Sequence, residues 1–246
     1  MIRIIRYTIV VLVLFSCKKE NAFDCLKSNG TEITEARTVD SFSVIKVYDK
    51  IDLNISKGSE FKVEVKAGKN IIKNVGTRIV NSELIIENNN KCNFVRGYKK
   101  HITVNVVVPH LTKIDNEGVG TVWFNGDYSQ DTIFVRAENS GDIHLRGAFK
   151  EIRTSSHGNG DIYVSGSCNR LFVYSFGTNF TFCENLSVND YIFIESISIG
   201  DCYINAPTNG VLEYNLWRSG NIYYKGQPAV INNFSDGTAK GRLIKE

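Results

Sequence analysis

The second half of the sequence repeats a short pattern roughly every 20 residues, and this repeat restricts the fold more than any other feature. Each copy has a glycine, then in most copies an aspartate or asparagine, then alternating apolar residues. The copies are anchored at Gly120, Gly141, Gly160, Gly177, Gly200 and Gly220, with Gly237 as a further candidate. A repeat of this length is typical of a solenoid, in which each unit buries its apolar face against its neighbours.

Side chains alternate across a strand, so the residues two and four places after each glycine are predicted to face the core. These inward residues are Val122, Phe124, Ile143, Leu145, Ile162, Val164, Cys202, Ile204, Ile222 and Tyr224. Each unit also holds a second apolar strand, such as residues 132–135. The sequence therefore predicts an all-β fold, a single-stranded, right-handed parallel β-helix (β-solenoid) with coils of roughly 20 residues.

The first half alternates apolar and polar residues but does not repeat. Clear period-two runs lie at residues 42–48, 61–66 and 102–108. Only Lys69 to Val75 could form a short helix. We expect an irregular, more antiparallel N-terminal part, and a basic tail from Gly237 to Glu246 that blunts one end of the solenoid.

The Gly-Asp-Ile and Gly-Asn-Ile copies resemble the head domain of auto-transporter adhesins that is called the GIN domain. The resemblance also covers residues 42–48, 88–94 and 102–109 of the first half, and so spans residues 37–241. The copies at Gly177 and Trp123 depart from the pattern. The resemblance implies an exported lipoprotein of the Bacteroidetes type with a β-solenoid head, a predicted adhesion role and no established activity.

The first residues have the features of a bacterial export signal. Arg3 and Arg6 precede an apolar run at residues 7–15, which suits a signal peptide and is too short to cross a bilayer. Leu14-Phe15-Ser16-Cys17 resembles a lipobox, although a smaller residue than Phe15 is usual at its place. We expect lipidation at Cys17; the alternative is a plain secretory signal with an incidental cysteine.

These features divide the chain into a lipoprotein signal peptide (1–16), a lipidated tether (17–36) and a GIN-type β-helix (37–241). A thioether lipid together with an N-acyl chain supplies the two anchors that stable membrane attachment requires. Lys18 follows the lipidated cysteine where some bacteria use aspartate to retain lipoproteins in the inner membrane, so the outer membrane is favoured.

Five cysteines remain once Cys17 is assigned to lipidation. Cys25 and Cys92 lie in polar segments outside the repeats, and an exported protein enters a compartment that permits disulfides, so we predict that they pair. Cys168, Cys183 and Cys202 are expected to be small buried apolar residues. No cysteine or histidine spacing indicates a zinc site.

Charge and motifs exclude several classes of protein. The net charge is +3, and loss of the two leader arginines lowers it to +1, which gives no electrostatic case for nucleic acid. Motifs of serine hydrolases, zinc proteases and P-loop enzymes are absent. The 4 histidines, His101, His110, His144 and His157, are dispersed and interpreted as surface residues. We predict no enzyme activity and no cofactor.

Asp142, Asp161 and Asp201 occupy the same place in their copies. Stacked carboxylates could share Ca²⁺, which makes Asp142 and Asp161 weak candidates for a metal site. The alternative is an aspartate that hydrogen-bonds nearby backbone. Thr121, Thr178 and Asn221 at the equivalent places bind Ca²⁺ poorly and favour the backbone role, so we predict no metal.

The outward position three places after the glycine is aromatic in most copies. This predicted aromatic stripe contains Trp123, His144, Tyr163, Tyr203 and Tyr223, with Phe180 as a candidate from the irregular copy. The stripe could bind glycan or protein, or could be only a stack of good strand formers. Trp217 lies outside this register and is interpreted as a core or corner residue.

The leading functional hypothesis is a non-enzymatic envelope lipoprotein that displays its β-solenoid for adhesion. The alternatives are a polysaccharide lyase or hydrolase of the β-helix kind, and a purely structural envelope protein.

Overall fold

The computed structural model describes residues 28–91 and 101–246, which form an 18-stranded sheet wound into stacked coils. Alternating apolar residues place one side chain in two toward the interior of the winding. The strands are β1 (Glu32–Arg37), β2 (Val44–Val47), β3 (Ile51–Lys57), β4 (Lys62–Gly68), β5 (Val75–Val80), β6 (Glu83–Asn88), β7 (Ile102–Val108), β8 (Lys113–Asn116), β9 (Val122–Asn125), β10 (Tyr128–Ala137), β11 (Ile143–Ser156), β12 (Ile162–Gly177), β13 (Thr181–Ser198), β14 (Cys202–Asn205), β15 (Val211–Leu216), β16 (Ile222–Lys225), β17 (Val230–Asn233) and β18 (Leu243–Lys245).

From β8 to β16 every strand pairs in parallel with a strand one coil further along the chain. One row of this register runs through Ile143, Ile162, Thr181, Cys202, Ile222 and Leu243. The long strands β11, β12 and β13 each continue around a corner of the coil. The structure is a β-solenoid of about 7 turns, which confirms the predicted parallel β-helix.

The inward row forms the core as predicted. Its members from Val122 to Ile222 are buried, and Tyr224 in the last complete coil is half-buried. Cys168, Cys183 and Cys202 are buried free thiols within this core, also as predicted. Burial raises the pKa of both Cys168 and Cys202 to about 12, which keeps these thiols protonated and unreactive.

The N-terminal region combines parallel and antiparallel pairs, as the irregular first half predicts. β3 pairs in parallel with β7, while β4 pairs antiparallel with both β1 and β7, and β5 pairs antiparallel with β6. The expected helix between Lys69 and Val75 is a single 3-10 turn at Ile72–Asn74. β1 begins at Glu32, inside the segment predicted as tether, because pairing with β4 gives residues 32–36 backbone partners.

Two of the predicted anchor glycines are wrong. The buried anchor row needs close approach between coils: a Cβ atom on Gly160 would lie 2.5 Å from the carbonyl oxygen of Gly141. Gly177 instead packs on Gly158, two places earlier in its coil, and Asn179 fills the anchor row beneath Gly200. Gly241, and not Gly237, packs on Gly220. This agrees with the register of the last coil, in which Leu243 pairs with Ile222.

Asn179 stabilises the irregular coil through buried hydrogen bonds. Its Oδ1 accepts hydrogen bonds from the hydroxyls of Ser156 (2.7 Å) and Ser175 (2.6 Å). Its Nδ2 donates to the carbonyls of Gly158 (3.1 Å) and Phe176 (2.6 Å). Because the side chain is fully buried and each of its polar atoms has a partner, the amide replaces the glycine without an unpaired polar group.

The C-terminal tail continues the winding. β18 pairs in parallel with β16, so the segment predicted to blunt the end adds another strand to the coil face. Within residues 28–91 and 101–246, no helix has the length and apolar character needed to cross a membrane.

Candidate functional site

Six rings stack along one face of the solenoid. This aromatic ladder consists of Trp123, His144, Tyr163, Phe182, Tyr203 and Tyr223, each three places after its anchor residue. In chain order the centroids of neighbouring rings lie 3.7, 4.4, 4.7, 5.3 and 5.1 Å apart. All five interplanar angles are 12° or less. The structure thus brings the residues of the predicted stripe together in one continuous row.

The irregular copy contributes Phe182 and not Phe180, which corrects the sequence-based candidate. Phe182 pairs in register with Tyr163 on one side and Tyr203 on the other, whereas Phe180 lies in the aspartate position. A signal for this exists in the sequence. If Asn179 replaces Gly177 as the anchor, the uneven spacings of 17 and 23 residues become 19 and 21.

The stacking determines which part of each ring a ligand can reach. Ring faces cover one another, so edges and hydroxyl groups face solvent. Trp123 at the start of the ladder is 43% exposed, and the other five rings are half-buried. At the two ends of the ladder Trp123 pairs in register with Asn54, and Tyr223 with Ile244. A ligand therefore meets the ladder mainly at ring edges.

A groove of about 280 Å³ runs beside the first four rings of the ladder. Its polar rim contains Arg146, Ser165, Glu184 and Asn185. The Arg146 guanidinium forms an exposed ion pair, 3.0 Å from the Asp127 carboxylate. The groove thus combines ring edges with one acid, one base and two neutral polar groups.

Burial tunes the titratable groups of the ladder. Burial lowers the pKa of His144, an effect that the Asp142 carboxylate partly offsets, so the ring is neutral at pH 7 between its two aromatic neighbours. Burial and nearby carboxylates raise the pKa of Tyr163 and of Tyr203. Their hydroxyls stay protonated at neutral pH and can donate hydrogen bonds.

The aspartate row hydrogen-bonds the backbone of the following coil. Asp142 Oδ1 accepts from the Asp161 N–H at 2.9 Å, and Asp161 Oδ1 accepts from the Phe180 N–H at 2.7 Å. Asp201 accepts from the Asn221 N–H at 2.7 Å. Burial raises the pKa of Asp161, with the Asp142 charge adding to the effect. Within the described residues, no group of three or more His, Cys, Asp or Glu could hold a metal ion.

The second strand of each coil carries another set of rings that the repeat pattern did not reveal. Phe172 and Tyr191 lie 5.6 Å apart at 51°, and Tyr174 and Phe193 lie 5.9 Å apart at 55°. The Arg153 guanidinium lies 4.9 Å from the centre of the Phe172 ring. The sequence does contain a signal for these rings, because the second strand of these units has aromatic residues at outward positions.

Three predicted functional cysteines lie outside the described residues. Cys17, with its expected lipid, and the proposed partners Cys25 and Cys92 belong to segments 1–27 and 92–100. Their lipidation and pairing stay predictions.

Comparison with known proteins places this architecture in a family. Residues 41–228 match the family described as "Putative auto-transporter adhesin, head GIN domain", and this match covers more than half of the chain. The chain belongs to this family, which confirms the resemblance stated from the repeats. No curated protein matches the chain.

Solved structures share the fold at low sequence identity. A "putative adhesin" from Bacteroides fragilis superposes with a TM-score of 0.78 and 19% identity, covering 88% of this chain and 97% of its own. A "putative adhesin" from Parabacteroides distasonis has a TM-score of 0.70 and 17% identity over 88% and 98% of the two chains. A "Putative lipid binding protein" from the same species has a TM-score of 0.63 and 16% identity over 87% and 98%.

Proposed function

We propose that the protein is a non-enzymatic adhesin of the cell envelope, held by lipid at Cys17, that contacts glycan or protein through the aromatic ladder. The adhesin family and the adhesin-named structural neighbours support the adhesion role and a surface location. The lipobox supports the anchor, and Lys18 favours the outer membrane. The ladder is the surface on which the contact would be made.

One observation carries the assignment of the ladder to binding. The same outward row continues into the N-terminal region, where Trp123 is followed in register by Asn54 and then Asn105. There the amide of Asn54 donates to Asn105 Oδ1 at 2.9 Å. Since the coils stack with asparagine in this row, the fold does not need aromatic residues there. A row of large, half-exposed rings is then best explained by contact with a partner.

The backbone role of the aspartates supports a non-enzymatic function. Catalysis of glycoside cleavage generally needs a pair of carboxyl groups that face the substrate. Asp142 and Asp161 each direct one oxygen to the backbone of the next coil. Turnover of any member of a polysaccharide panel, lost in Asp142→Asn or Asp161→Asn, would overturn this part of the proposal.

The anchor is tested by metabolic labelling with an alkyne-tagged palmitate. The parent chain should be labelled and fractionate with the membrane. Cys17→Ser should lose the label and either enter the soluble periplasmic fraction or stall in processing. Cys168→Ser is the matched control, because that thiol is buried in the core, and it should keep the label. An unlabelled parent chain would contradict the proposal.

Adhesion is tested with intact cells that do or do not export the protein. Cells with the protein should be stained by an antibody added from outside, and should attach better to immobilised glycans or extracellular-matrix proteins. Equal attachment of both strains to every surface would contradict an adhesive role.

A further inference from the structure

We infer that the groove beside the aromatic ladder is a subsite for one neutral sugar residue, with Glu184 as its hydrogen-bond acceptor. This inference rests on the proposed function, because the groove shares the rings of the ladder. Three independent features of the groove carry it: a bulge, an unpaired carboxylate oxygen, and the chemistry of its walls.

A β-bulge places Glu184 at the groove. Between β12 and β13, Tyr163 pairs with Phe182 and Ser165 pairs with Asn185, so that Cys183 and Glu184 both lie opposite Val164. The preceding pair of strands, β11 and β12, is regular over the same stretch. Such bulges re-aim side chains and are frequent beside binding sites.

The Glu184 carboxylate lacks a complete set of partners. Its Oε2 atom is buried and has no hydrogen-bond partner among the described residues. A buried carboxylate oxygen without a donor is unfavourable, so the groove gains from a ligand that brings one. Because Glu184 lines the groove, a hydroxyl group of a ligand bound there would meet this carboxylate.

The walls of the groove favour a neutral hydroxylated ligand over a cation. Stacked rings turn their edges to the groove, and ring edges carry the positive part of the aromatic quadrupole. Ring faces, which attract cations, are covered by neighbouring rings. A sugar can instead donate a hydroxyl to Glu184 and accept hydrogen bonds from Asn185 and Ser165.

The size of the groove limits the ligand. Its volume of about 280 Å³ lies at the lower end of ligand pockets in proteins. This space suits a single sugar ring, so that a longer glycan would place one residue in the groove and the rest along the ladder.

The test uses Trp123 as a reporter. The chain has 2 tryptophans, and Trp217→Phe leaves Trp123, which lines the groove, as the only one. The full chain with this substitution is titrated with neutral hexoses, N-acetylhexosamines and, as a cationic probe, glucosamine. We expect at least one neutral sugar to change the Trp123 fluorescence saturably.

Glu184→Gln should weaken that binding about tenfold or more, because a hydrogen bond to a charged acceptor is replaced by a neutral one. Asn185→Ala, an exposed change that spares the fold, should weaken it several-fold. Glu195→Gln is the matched control, since it makes the same charge change on the same strand at a distance from the groove, and should leave binding unchanged.

The outcomes separate the subsite from the proposed function. Unchanged affinity in both Glu184→Gln and Asn185→Ala would overturn the subsite, as would binding of glucosamine in preference to neutral sugars. If no sugar binds the parent chain, the subsite is also overturned. If cell attachment still depends on the ladder in that case, the adhesive role is retained and the partner is a protein. If cell attachment does not depend on the ladder, the subsite and the proposed function are both overturned.

Discussion

The N-terminal region, residues 28–116, and the coils that follow it share rows of side chains but fill them differently. In both regions the inward rows are mainly apolar and buried, as Ile86 and Ile162 illustrate. The outward row that holds six rings in the coils holds Asn54 and Asn105 in the N-terminal region. The backbone register therefore fixes where a side chain lies, while the chemistry of the outward row is free to serve another purpose.

The inward rows should give the largest effect, and the same effect in both regions. Ile162→Ala should lower the free energy of unfolding by about 2–5 kcal/mol, because the stacked coils cannot close around the cavity. Ile86→Ala is the counterpart in the N-terminal region and should cost a similar amount. Denaturant titration followed by circular dichroism measures both, and a cost well below 1 kcal/mol in either would contradict the shared core.

The buried amide of the irregular coil should give the next effect. Asn179→Ala removes the acceptor of two serine hydroxyls and one donor to each of two carbonyls, of which Gly158 keeps the Thr178 N–H. It should cost about 2–3 kcal/mol. Asn179→Gly separates backbone approach from hydrogen bonding: it restores the residue type of the anchor row but not the network. If the glycine variant is as stable as the parent chain, the network is not what holds this coil.

The outward row should give a smaller effect on stability. Tyr203→Ser should lower the free energy of unfolding by about 1 kcal/mol or less, the value of one cross-strand pair. Asn54→Ser in the same row of the N-terminal region should cost no more. A decrease of several kcal/mol in the free energy of unfolding for Tyr203→Ser alone would show that the ladder stabilises the coils. The outward rows of the two regions would then differ in their role in stability.

The smallest expected effect is the contribution of Asp161 to the pH dependence of the free energy of unfolding. The folded chain raises the pKa of this carboxyl above its ordinary 3.8, so its contribution is fully present below pH 3.8 and is lost as pH rises through the raised value. The stability of the parent chain relative to Asp161→Asn should therefore fall between pH 3.8 and 7. The asparagine retains an acceptor for the Phe180 N–H, as Asn221 does for Arg242. Identical pH profiles of the two chains would contradict the shift.

The periodic part of the molecule could be predicted from sequence because each coil needs the same residue types at the same positions. Glycine is needed where coils approach closely, and alternation then assigns the inward and outward rows. Five of the six rings of the ladder were predicted on this basis, and so was the inward place of Cys202. Burial of Cys168 and Cys183 was expected from the apolar character of a free thiol.

The irregular coil could not be predicted in the same way. Asn179 replaces the anchor glycine through hydrogen bonds to serines that lie 23 and 4 residues away in sequence. The bulge at Glu184 also leaves no local mark, because it is defined only by the pairing with β12. Long-range pairing likewise places β1 in the sheet although its sequence resembles a polar linker.

The central claim is that the ladder serves contact and not stability. The most direct measurement compares cell attachment and thermal unfolding of the parent chain with those of a variant in which Trp123, Tyr163, Tyr203 and Tyr223 are all threonine, a residue that keeps strand propensity. The claim predicts that the variant folds with the same circular dichroism spectrum and loses attachment. A folded variant that attaches as well as the parent chain, or a variant that no longer folds, would contradict it.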